Sequence, residues 1–234
     1  MFTFKKFTLI DEHCAMKVGT DGTLLGAWIA LPQDAGPIRV LDVGAGCGLI
    51  SLMLAQRFAS AHITALDIDE GATADAICNI RNAPFGDRVE AVCEDFLAHK
   101  VAVSYAANVS NPPFFEETLL PPNQQRAMAR HTSSALNFST LIAHSKTLLQ
   151  AEGTLHLIVP ATAAQEVVYL AHTNGFSLVR RCVVHTVAHK PARRVMLSFV
   201  LGQTEAAIKE ETLLLNAEGE RTVQYKTLCR DFYL

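Results

Sequence analysis

The sequence predicts an α/β protein with a Rossmann-like, doubly wound sheet of seven strands. From about residue 38 onward, short runs of β-branched and apolar residues alternate with segments of helical periodicity, a pattern typical of a parallel sheet covered on both faces. The last two strands are separated only by residues 190–193, which are too few for a crossover helix. We therefore expect a series of α/β units that ends in an antiparallel C-terminal hairpin at one edge of the sheet.

The individual elements follow from these patterns in order. Strands are predicted at residues 39–43, 62–68, 89–93, 107–110, 154–159, 177–187 and 194–201. Helices are predicted where apolar residues recur at spacings of three and four, at residues 49–57, 71–82, 136–150 and 162–174. Residues 1–36 precede the alternation, so we place the main domain at residues 37–234. The aromatic-rich stretch 225–234 should dock on this domain.

Composition excludes several classes of protein. Twenty basic and 23 acidic residues give a net charge of −3, so any contact with nucleic acid has to be a local patch. No apolar run approaches the roughly 18 to 20 residues that span a bilayer, and the N-terminus does not look like a secretory signal. The six cysteines form no CxxC pair and the nine histidines show no ligand spacing, so we expect no metal. We expect a monomer with reduced thiols in the cytoplasm.

A glycine-rich loop follows the first strand of the alternation. Gly44, Gly46 and Gly48 form a GxGxG pattern before a helix predicted to begin at Leu49. Such glycines let the backbone turn sharply and approach a ligand, and the helix N-terminus offers unpaired N–H groups. The dinucleotide pattern GxGxxG is not met, because Leu49 stands in place of its third glycine. We predict a nucleotide-like ligand here and count Asp42, in the preceding strand, among its candidate contacts.

Carboxylates follow the next two strands. Asp67 ends the second strand, where it can accept hydrogen bonds from both hydroxyls of a ribose. Asp69 is interpreted instead as the N-cap of the next helix. After the third strand, Asp95 is a candidate acceptor for an adenine amino group, and Phe96 is a candidate ring to pack on the base.

The fourth strand ends in the tetrad Asn111-Pro112-Pro113-Phe114. Two prolines stiffen the turn and remove two N–H donors, which favours carbonyl groups that are held facing a ligand. The Asn111 amide oxygen and the Pro112 carbonyl can accept both N–H groups of a planar amine, while the Phe114 ring stacks on the base that carries it. We therefore predict that this tetrad is catalytic and that the group it positions is an exocyclic amine or a comparable planar nitrogen.

These motifs resemble those of S-adenosylmethionine-dependent methyltransferases, and NPPF in this place is similar to the group that modifies adenine N6, guanine N2 or glutamine amides. More narrowly, KVGTDGTLLGAW at residues 17–28, Arg130-His131 and DFYL at residues 231–234 resemble the family of bacterial tRNA1(Val) (adenine(37)-N6)-methyltransferases nearly end to end. The resemblance implies a class I methyltransferase fold, S-adenosylmethionine as cofactor and a tRNA substrate. It also implies that residues 1–36 cover the cofactor, with Lys17, Thr20 and Asp21 near its methionine end. The family keeps its fourth strand apolar, whereas this chain has Asn108 there.

Basic residues are candidates for contact with RNA phosphates. They follow the tetrad at Arg126 and Arg130 and recur in the hairpin turn at Lys190, Arg193 and Arg194. The tetrad itself does not separate an adenine-N6 enzyme from a guanine-N2 rRNA enzyme or a glutamine-amide protein methyltransferase. A module that binds cofactor and RNA without turnover is the alternative outside enzymes, and the intact Asn111 and Pro112 weigh against it.

Overall fold

A mixed sheet of eight strands lies at the centre of the described residues, with helices on both faces. The computed structural model describes residues 1–31, 36–113 and 136–233. The strands are, in chain order, β1 (Phe2–Thr3), β2 (Thr8–Leu9), β3 (Ile38–Val43), β4 (Ala61–Asp67), β5 (Val89–Cys93), β6 (Tyr105–Ser110), β7 (Leu149–Pro160), β8 (Phe176–His185), β9 (Arg194–Leu201), β10 (Lys209–Leu214), β11 (Asn216–Ala217) and β12 (Glu220–Arg221). The helices are α1 (Thr20–Trp28), α2 (Leu49–Arg57), α3 (Glu70–Asn82), α4 (Phe138–Leu148), α5 (Ala164–Thr173) and α6 (Val223–Leu228).

Strands β3 to β10 form the central sheet in the order β10-β8-β9-β7-β6-β3-β4-β5. Strand β9 runs antiparallel to both of its neighbours, and the other pairings within this sheet are parallel. The predicted strands and helices are present with shifted ends. Helix α1, which the sequence patterns did not predict, packs on the same face as α2. No helix in the described part of the chain is long and apolar enough to cross a membrane.

The structure corrects the predicted strand count and the place of the hairpin. Strands β8 and β9 do form an antiparallel hairpin, but β9 lies inside the sheet and β10 pairs in parallel with the outer side of β8 as an eighth strand. Strand β10 begins Lys209-Glu210-Glu211, which does not look like a strand of a buried sheet. Glu211 is nevertheless paired with Arg180 of β8 at 2.8 Å and accepts a hydrogen bond from the Trp28 ring N–H at 2.7 Å. These tertiary partners offset the charge of Glu211. The charged residues at the start of β10 are the reason why the sequence pattern did not predict this strand.

Alternation along β3 explains why both faces of the sheet are covered. Val40 lies in the hydrophobic cluster that includes residues of α1, α2 and α3, such as Leu52. Leu41, its neighbour, lies in the second cluster with Leu141 of α4. Because successive strand residues point to opposite faces, the apolar residues of β3 contribute to both cores.

Two glycines on α1 let this helix approach α2 closely. A Cβ on Gly26 would lie 2.8 Å from the sulfur of Met53, and one on Gly22 would lie 3.0 Å from a methyl group of Leu49. The two glycines are four residues apart and therefore share one face of α1. Arg57, in the last turn of α2, also donates a hydrogen bond to the Gly26 carbonyl at 2.6 Å. The N-terminal segment is thus packed tightly on the helix that follows the glycine loop.

Hydrogen bonds join the N-terminal segment to α3. The Asn79 side chain accepts from the Ile10 N–H and donates to the Ile10 carbonyl, both at 2.8 Å. Asp75, one helical turn earlier, accepts hydrogen bonds from the backbone and the ring of His13, each at 2.8 Å. Both α3 side chains are buried, so their polar atoms depend on these partners.

The C-terminal stretch docks on the domain, as predicted. Phe232 and Tyr225 are buried in the same cluster as Phe4. The Lys5 N–H donates to the Phe232 carbonyl at 2.8 Å. The two terminal segments are therefore in direct contact.

The strand ends that carry the predicted motifs lie at one edge of the sheet. Val43 at the end of β3 is level with Leu66 of β4 on one side and Ser110 of β6 on the other. Strand β9 runs the opposite way, so its first residue, Arg194, pairs with Pro160 at the end of β7. The same edge consequently carries the glycine loop, Asp67, residues 111–113, which we call the NPP turn, and the hairpin turn between β8 and β9. Ligands of such sheets bind at this edge.

Candidate active site

The glycine loop has the backbone conformation that its sequence requires. Gly44, Gly46 and Gly48 have φ values of 68°, 55° and 81°, which residues with a Cβ rarely adopt. The N–H groups of Gly44 and Ala45 donate to the Leu66 carbonyl at 2.9 and 3.0 Å, which fixes the loop against β4. A Cβ built on Gly44 would meet no atom within 4 Å. The loop therefore leaves space at Gly44, and its glycines are needed for conformation.

Asp67 lies beside this loop. Its carboxylate accepts the Gly46 N–H at 2.7 Å with one oxygen and the Asp69 N–H at 2.9 Å with the other. Each oxygen keeps a further lone pair, so the group can hold the loop and still accept from a ligand. Asp69 caps α3, as predicted, by accepting the Ala72 N–H at 2.7 Å.

Asp42 lies beneath the loop. It is fully buried, and one carboxylate oxygen accepts the backbone N–H of Ser51 at 3.0 Å and the Ser51 hydroxyl at 2.7 Å. Burial raises the pKa of Asp42 to about 7, against the opposing effect of the Ser51 hydrogen bonds, and the nearby charge of Asp67 adds to the rise. Asp42 thus joins the end of β3 to the first turn of α2. The other carboxylate oxygen of Asp42 is buried without a hydrogen-bond partner among the described residues, and its contact with the cofactor stays a prediction.

Asp95 and Phe96 follow β5 but differ in their surroundings. Asp95 is half-buried and accepts the Leu97 N–H at 2.9 Å, so it organises its own turn and keeps one carboxylate oxygen for another partner. Phe96 is buried in the second hydrophobic cluster, and its ring meets His144 edge-on at a centroid distance of 4.8 Å. The structure thus places Phe96 in the core and not on an open surface, where a base could stack on it. The sequence could not distinguish the two placements, because both call for an aromatic residue.

The NPP turn leaves the sheet next to the glycine loop. The Ser110 hydroxyl donates to the Val43 carbonyl at 2.8 Å, which joins the end of β6 to the residue before Gly44. The side-chain oxygen of Asn111 is buried and has no hydrogen-bond partner among the described residues. Pro112 is buried and Pro113 is exposed. An acceptor oxygen without a partner at the site predicted for an amine is what the tetrad hypothesis requires.

Three predicted side chains lie outside the described residues: Phe114 of the tetrad and the two basic residues Arg126 and Arg130. In the hairpin turn, Lys190 is exposed. The Arg193 carbonyl accepts the Ala161 N–H at 3.1 Å, which ties the turn to the residue that follows β7.

The predicted cofactor contacts near the start of α1 lie close to a predicted RNA contact. Asp21 forms a 2.7 Å ion pair with Arg194, and both side chains are about a quarter to a third exposed, at 31% and 26%. Lys17 donates to the backbone carbonyls of Asp11 and Glu12, and Thr20 is the first residue of α1. The sequence offered no signal for the Asp21–Arg194 pair, because 172 residues separate its members along the chain. No cluster of His, Cys, Asp and Glu suited to a metal occurs in the parts of the chain that the structure describes.

Comparison with known proteins agrees with this geometry. The model of the methyltransferase small domain matches residues 29–179. A tRNA1(Val) (adenine(37)-N6)-methyltransferase of Bacteroides thetaiotaomicron is 41% identical over 234 residues, which cover 100% of this chain and 97% of the relative. The chain belongs to this methyltransferase family. A relative of the same name from Serratia proteamaculans is 38% identical to our methyltransferase and is covered over 89% of its length.

Solved structures match the methyltransferase at the level of the fold. A predicted O-methyltransferase from Agrobacterium tumefaciens has a TM-score of 0.71 at 18% identity, with 91% of this chain and 96% of that chain covered. A glycopeptide N-methyltransferase complexed with S-adenosyl-L-methionine has a TM-score of 0.57 at 16% identity, with 84% and 92% covered. The predicted class I methyltransferase fold with its C-terminal antiparallel hairpin is therefore confirmed, with eight strands in place of seven.

Proposed function

We propose that this methyltransferase transfers a methyl group from S-adenosylmethionine to N6 of adenine 37 in tRNA1(Val). The observation that carries the proposal is the buried oxygen of Asn111, which has no partner within residues 1–31, 36–113 and 136–233 and is placed beside the glycine loop by the hydrogen bond between Ser110 and Val43. Full-length relatives with this activity in their names support the choice of tRNA and base.

The residues at this edge of the sheet fit the cofactor. Gly44 leaves open space beside a backbone that only glycine adopts readily. Asp67 has lone pairs left to accept ribose hydroxyls after bonding the loop. Asp95 keeps an oxygen for the adenine amino group. Residues 1–36, with Lys17, Thr20 and Asp21, are proposed to cover the methionine end, and residues 37–234 to form the catalytic domain.

Positioning of the amine is the main catalytic contribution of the chain. S-adenosylmethionine, when bound, supplies a methyl group that its sulfonium makes electrophilic. An exocyclic amine is a weak nucleophile, because its lone pair is delocalised into the ring of the base. Asn111 and the Pro112 carbonyl accept its two N–H groups and so turn the lone pair towards the methyl carbon. Formation of the N–C bond would break the methyl–sulfur bond and release S-adenosylhomocysteine. The positive charge would then lie on nitrogen, where the two oxygens stabilise it until the extra proton leaves to solvent.

We also propose that the protein is a monomer and that it acts in the cytoplasm. Six cysteines without disulfide partners agree with a reducing compartment.

Methyl transfer with competing substrates tests the function. Purified wild-type protein and the Asn111→Ala variant are incubated with labelled S-adenosylmethionine and with separate tRNA, rRNA and protein fractions from a strain that lacks the gene. We expect label in tRNA, and N6-methyladenosine at position 37 of tRNA1(Val) when nuclease fragments are analysed by mass spectrometry. Label in rRNA guanine or in a protein glutamine would assign the chain to another branch of the NPPF group. Binding of cofactor and RNA with no transfer to any fraction would favour the non-enzymatic module.

A further inference from the structure

A cavity of about 660 Å³ opens between the N-terminal segment and the region around α6. Lys5, Arg221, Lys226 and Arg230 lie on its wall, and none of the described residues that line it is acidic. The protein as a whole carries a net charge of −3, so this cavity gathers cations against the overall balance. We call it the basic groove.

Aromatic rings form the other part of the wall. Tyr225 and Tyr233 stack with centroids 6.1 Å apart, and Phe2 meets Tyr233 edge-on at 6.2 Å. Phe2 is 36% exposed. Tyr225 is buried, so the partly exposed rings of the wall are Phe2 and Tyr233. Cations beside partly exposed rings are typical of surfaces that bind nucleic-acid strands, where phosphates meet the charges and bases stack on the rings.

All four cations of the basic groove are exposed, and Lys5 and Arg221 are also held by neighbouring groups. Lys5 donates to the Arg230 carbonyl at 2.7 Å, and the Arg221 guanidinium lies 4.4 Å from the centre of the Tyr225 ring. Lys226 and Arg230 have exposed side chains, at 60% and 73%.

Two acidic residues lie next to Lys226 and Arg230. Lys226 is 3.7 Å from Glu220, and Arg230 is 3.8 Å from Asp231, with both carboxylates more than 60% exposed. Such surface pairs are worth little in water, because solvent screens them and each side chain loses entropy. The two cations can therefore exchange these partners for phosphates at little cost.

One end of the basic groove reaches the edge of the sheet that carries the candidate active site, and the groove extends from there to Arg230, next to the last turn of α2. Strand β10 runs parallel to β8 and so ends, at Leu214, on this same edge, and the Leu214 carbonyl accepts the hydroxyl of Thr222 just before α6. On its other side the groove reaches Thr20, the neighbour of Asp21, which pairs with Arg194. Three strands lie between β6 and β10, so four steps of about 4.8 Å place β10 roughly 20 Å from the NPP turn.

We propose that the basic groove binds the sugar-phosphate backbone of the tRNA substrate, at nucleotides away from the methylated base. This inference rests on the proposed tRNA methyltransferase function. A separation of some 20 Å is about the width of an RNA duplex, so one tRNA can occupy the NPP turn and the groove together. The groove contributes affinity and orientation without reading sequence, because its contacts go to phosphates.

A charge-neutralised variant with a matched control tests the inference. Lys226→Gln/Arg230→Gln removes two of the exposed cations of the groove. Arg81→Gln/Lys146→Gln removes the same charge from exposed residues in the last turns of α3 and α4, at the opposite edge of the sheet. Equilibrium binding of tRNA, followed by fluorescence anisotropy between 50 and 300 mM salt, is measured beside the KM for tRNA and the affinity for S-adenosylmethionine. Thermal denaturation checks that both variants fold.

The groove variant is expected to bind tRNA about 5- to 10-fold more weakly at moderate salt, since each phosphate contact contributes roughly 0.7 to 0.9 to the slope of log K against log salt. Its slope should fall by about 1.5 for two lost contacts, while cofactor affinity stays at the wild-type value and the control variant behaves as wild type. Equal tRNA binding by the groove and control variants overturns the inference. Wild-type protein that binds tRNA through the groove but methylates none would overturn the proposed function alone, so the two failures are distinguishable.

Discussion

The side chain of Asn111 has a proposed role in catalysis and also affects stability. A buried amide oxygen without a partner costs free energy unless a ligand supplies the donor. Asn111→Ala is expected to lower the single-turnover rate with saturating tRNA by ~10² or more, the scale for loss of one preorganised contact to the transition state. Cofactor affinity, measured by calorimetry, should be unchanged, because the glycine loop and Asp67 remain. A near-normal rate would reduce the NPP turn to a structural element.

Asp67 and Asp69 offer a matched pair for the cofactor site. Asp67→Ala removes the acceptor proposed for the ribose hydroxyls and should weaken S-adenosylmethionine binding by ~1.5 to 3 kcal/mol. Asp69→Ala removes the N-cap of α3 and should instead lower the free energy of unfolding by ~1 kcal/mol, with cofactor affinity kept. Calorimetric titration and urea unfolding of both variants separate the two roles. Equal affinities for all three proteins would exclude Asp67 from the site.

The residues that the sequence identified well are those whose conformation or place in the chain is decisive. The positive φ angles of the loop require glycine, and the helix start at residue 70 requires a cap, so Gly44, Gly48 and Asp69 were predictable. Asp42 and Phe96 were assigned to the ligand because they lie near motifs. Their burial depends on which face of a strand or turn packs against a helix, and that is decided by contacts distant in sequence.

In β6, Asn108 is expected to lower the stability of the protein. It is fully buried, its side-chain oxygen has no partner among the described residues, and its N–H group reaches the Ser145 carbonyl only at 3.4 Å. That carbonyl already accepts the Leu149 N–H. Asn108→Leu should therefore raise the free energy of unfolding by about 1 kcal/mol, because it removes a poorly satisfied polar group at similar volume. Urea denaturation measures the change, and a marked loss of stability would mean that Asn108 has a partner of real value.

At the scale of elements, periodicity predicted most of the sheet and missed the parts held by long-range pairs. The sequence pattern did not predict strand β10 because the strand begins with charged residues. In the structure, Arg180 and Trp28 bind Glu211, and no local pattern indicates these distant partners. Helix α1 was missed because its two glycines lower helix propensity, although they are what allows close packing on α2. In both cases a tertiary contact outweighs the local preference.

Stability of the whole molecule should depend on pH through His156. This side chain lies buried in β7 between the hydroxyls of Ser198 and Thr154, at 2.7 and 3.0 Å, and burial, together with the charge of Arg180, lowers its pKa to about 3. Below pH 6.5 the unfolded chain binds a proton that the native protein does not take up until about pH 3. The contribution of His156 to the free energy of unfolding should therefore decrease as the pH decreases through this window, by up to about 1.4 kcal/mol per pH unit, and be constant above it.

Urea midpoints of wild-type protein and two variants between pH 7.5 and 5 check this dependence. His156→Gln keeps a polar group beside both hydroxyls and should flatten the slope below pH 6.5. His62→Gln changes an exposed histidine of β4 and should leave the wild-type slope intact. If His156→Gln follows the wild-type profile, other groups dominate the acid response.

The contact between the terminal segments has a consequence for biosynthesis. Lys5 bonds to the Arg230 carbonyl across 225 residues of sequence, and the rings of Phe4 and Tyr233 stack with centroids 5.7 Å apart. While a ribosome makes the chain, Phe4 emerges long before this partner exists, so its apolar surface stays uncovered for most of translation. At about 5 to 20 residues per second, the interval is on the order of ten seconds to a minute. The segment around Phe4 is thus completed only when the C-terminal stretch has been made, and until then its apolar side chains are accessible to chaperones and proteases.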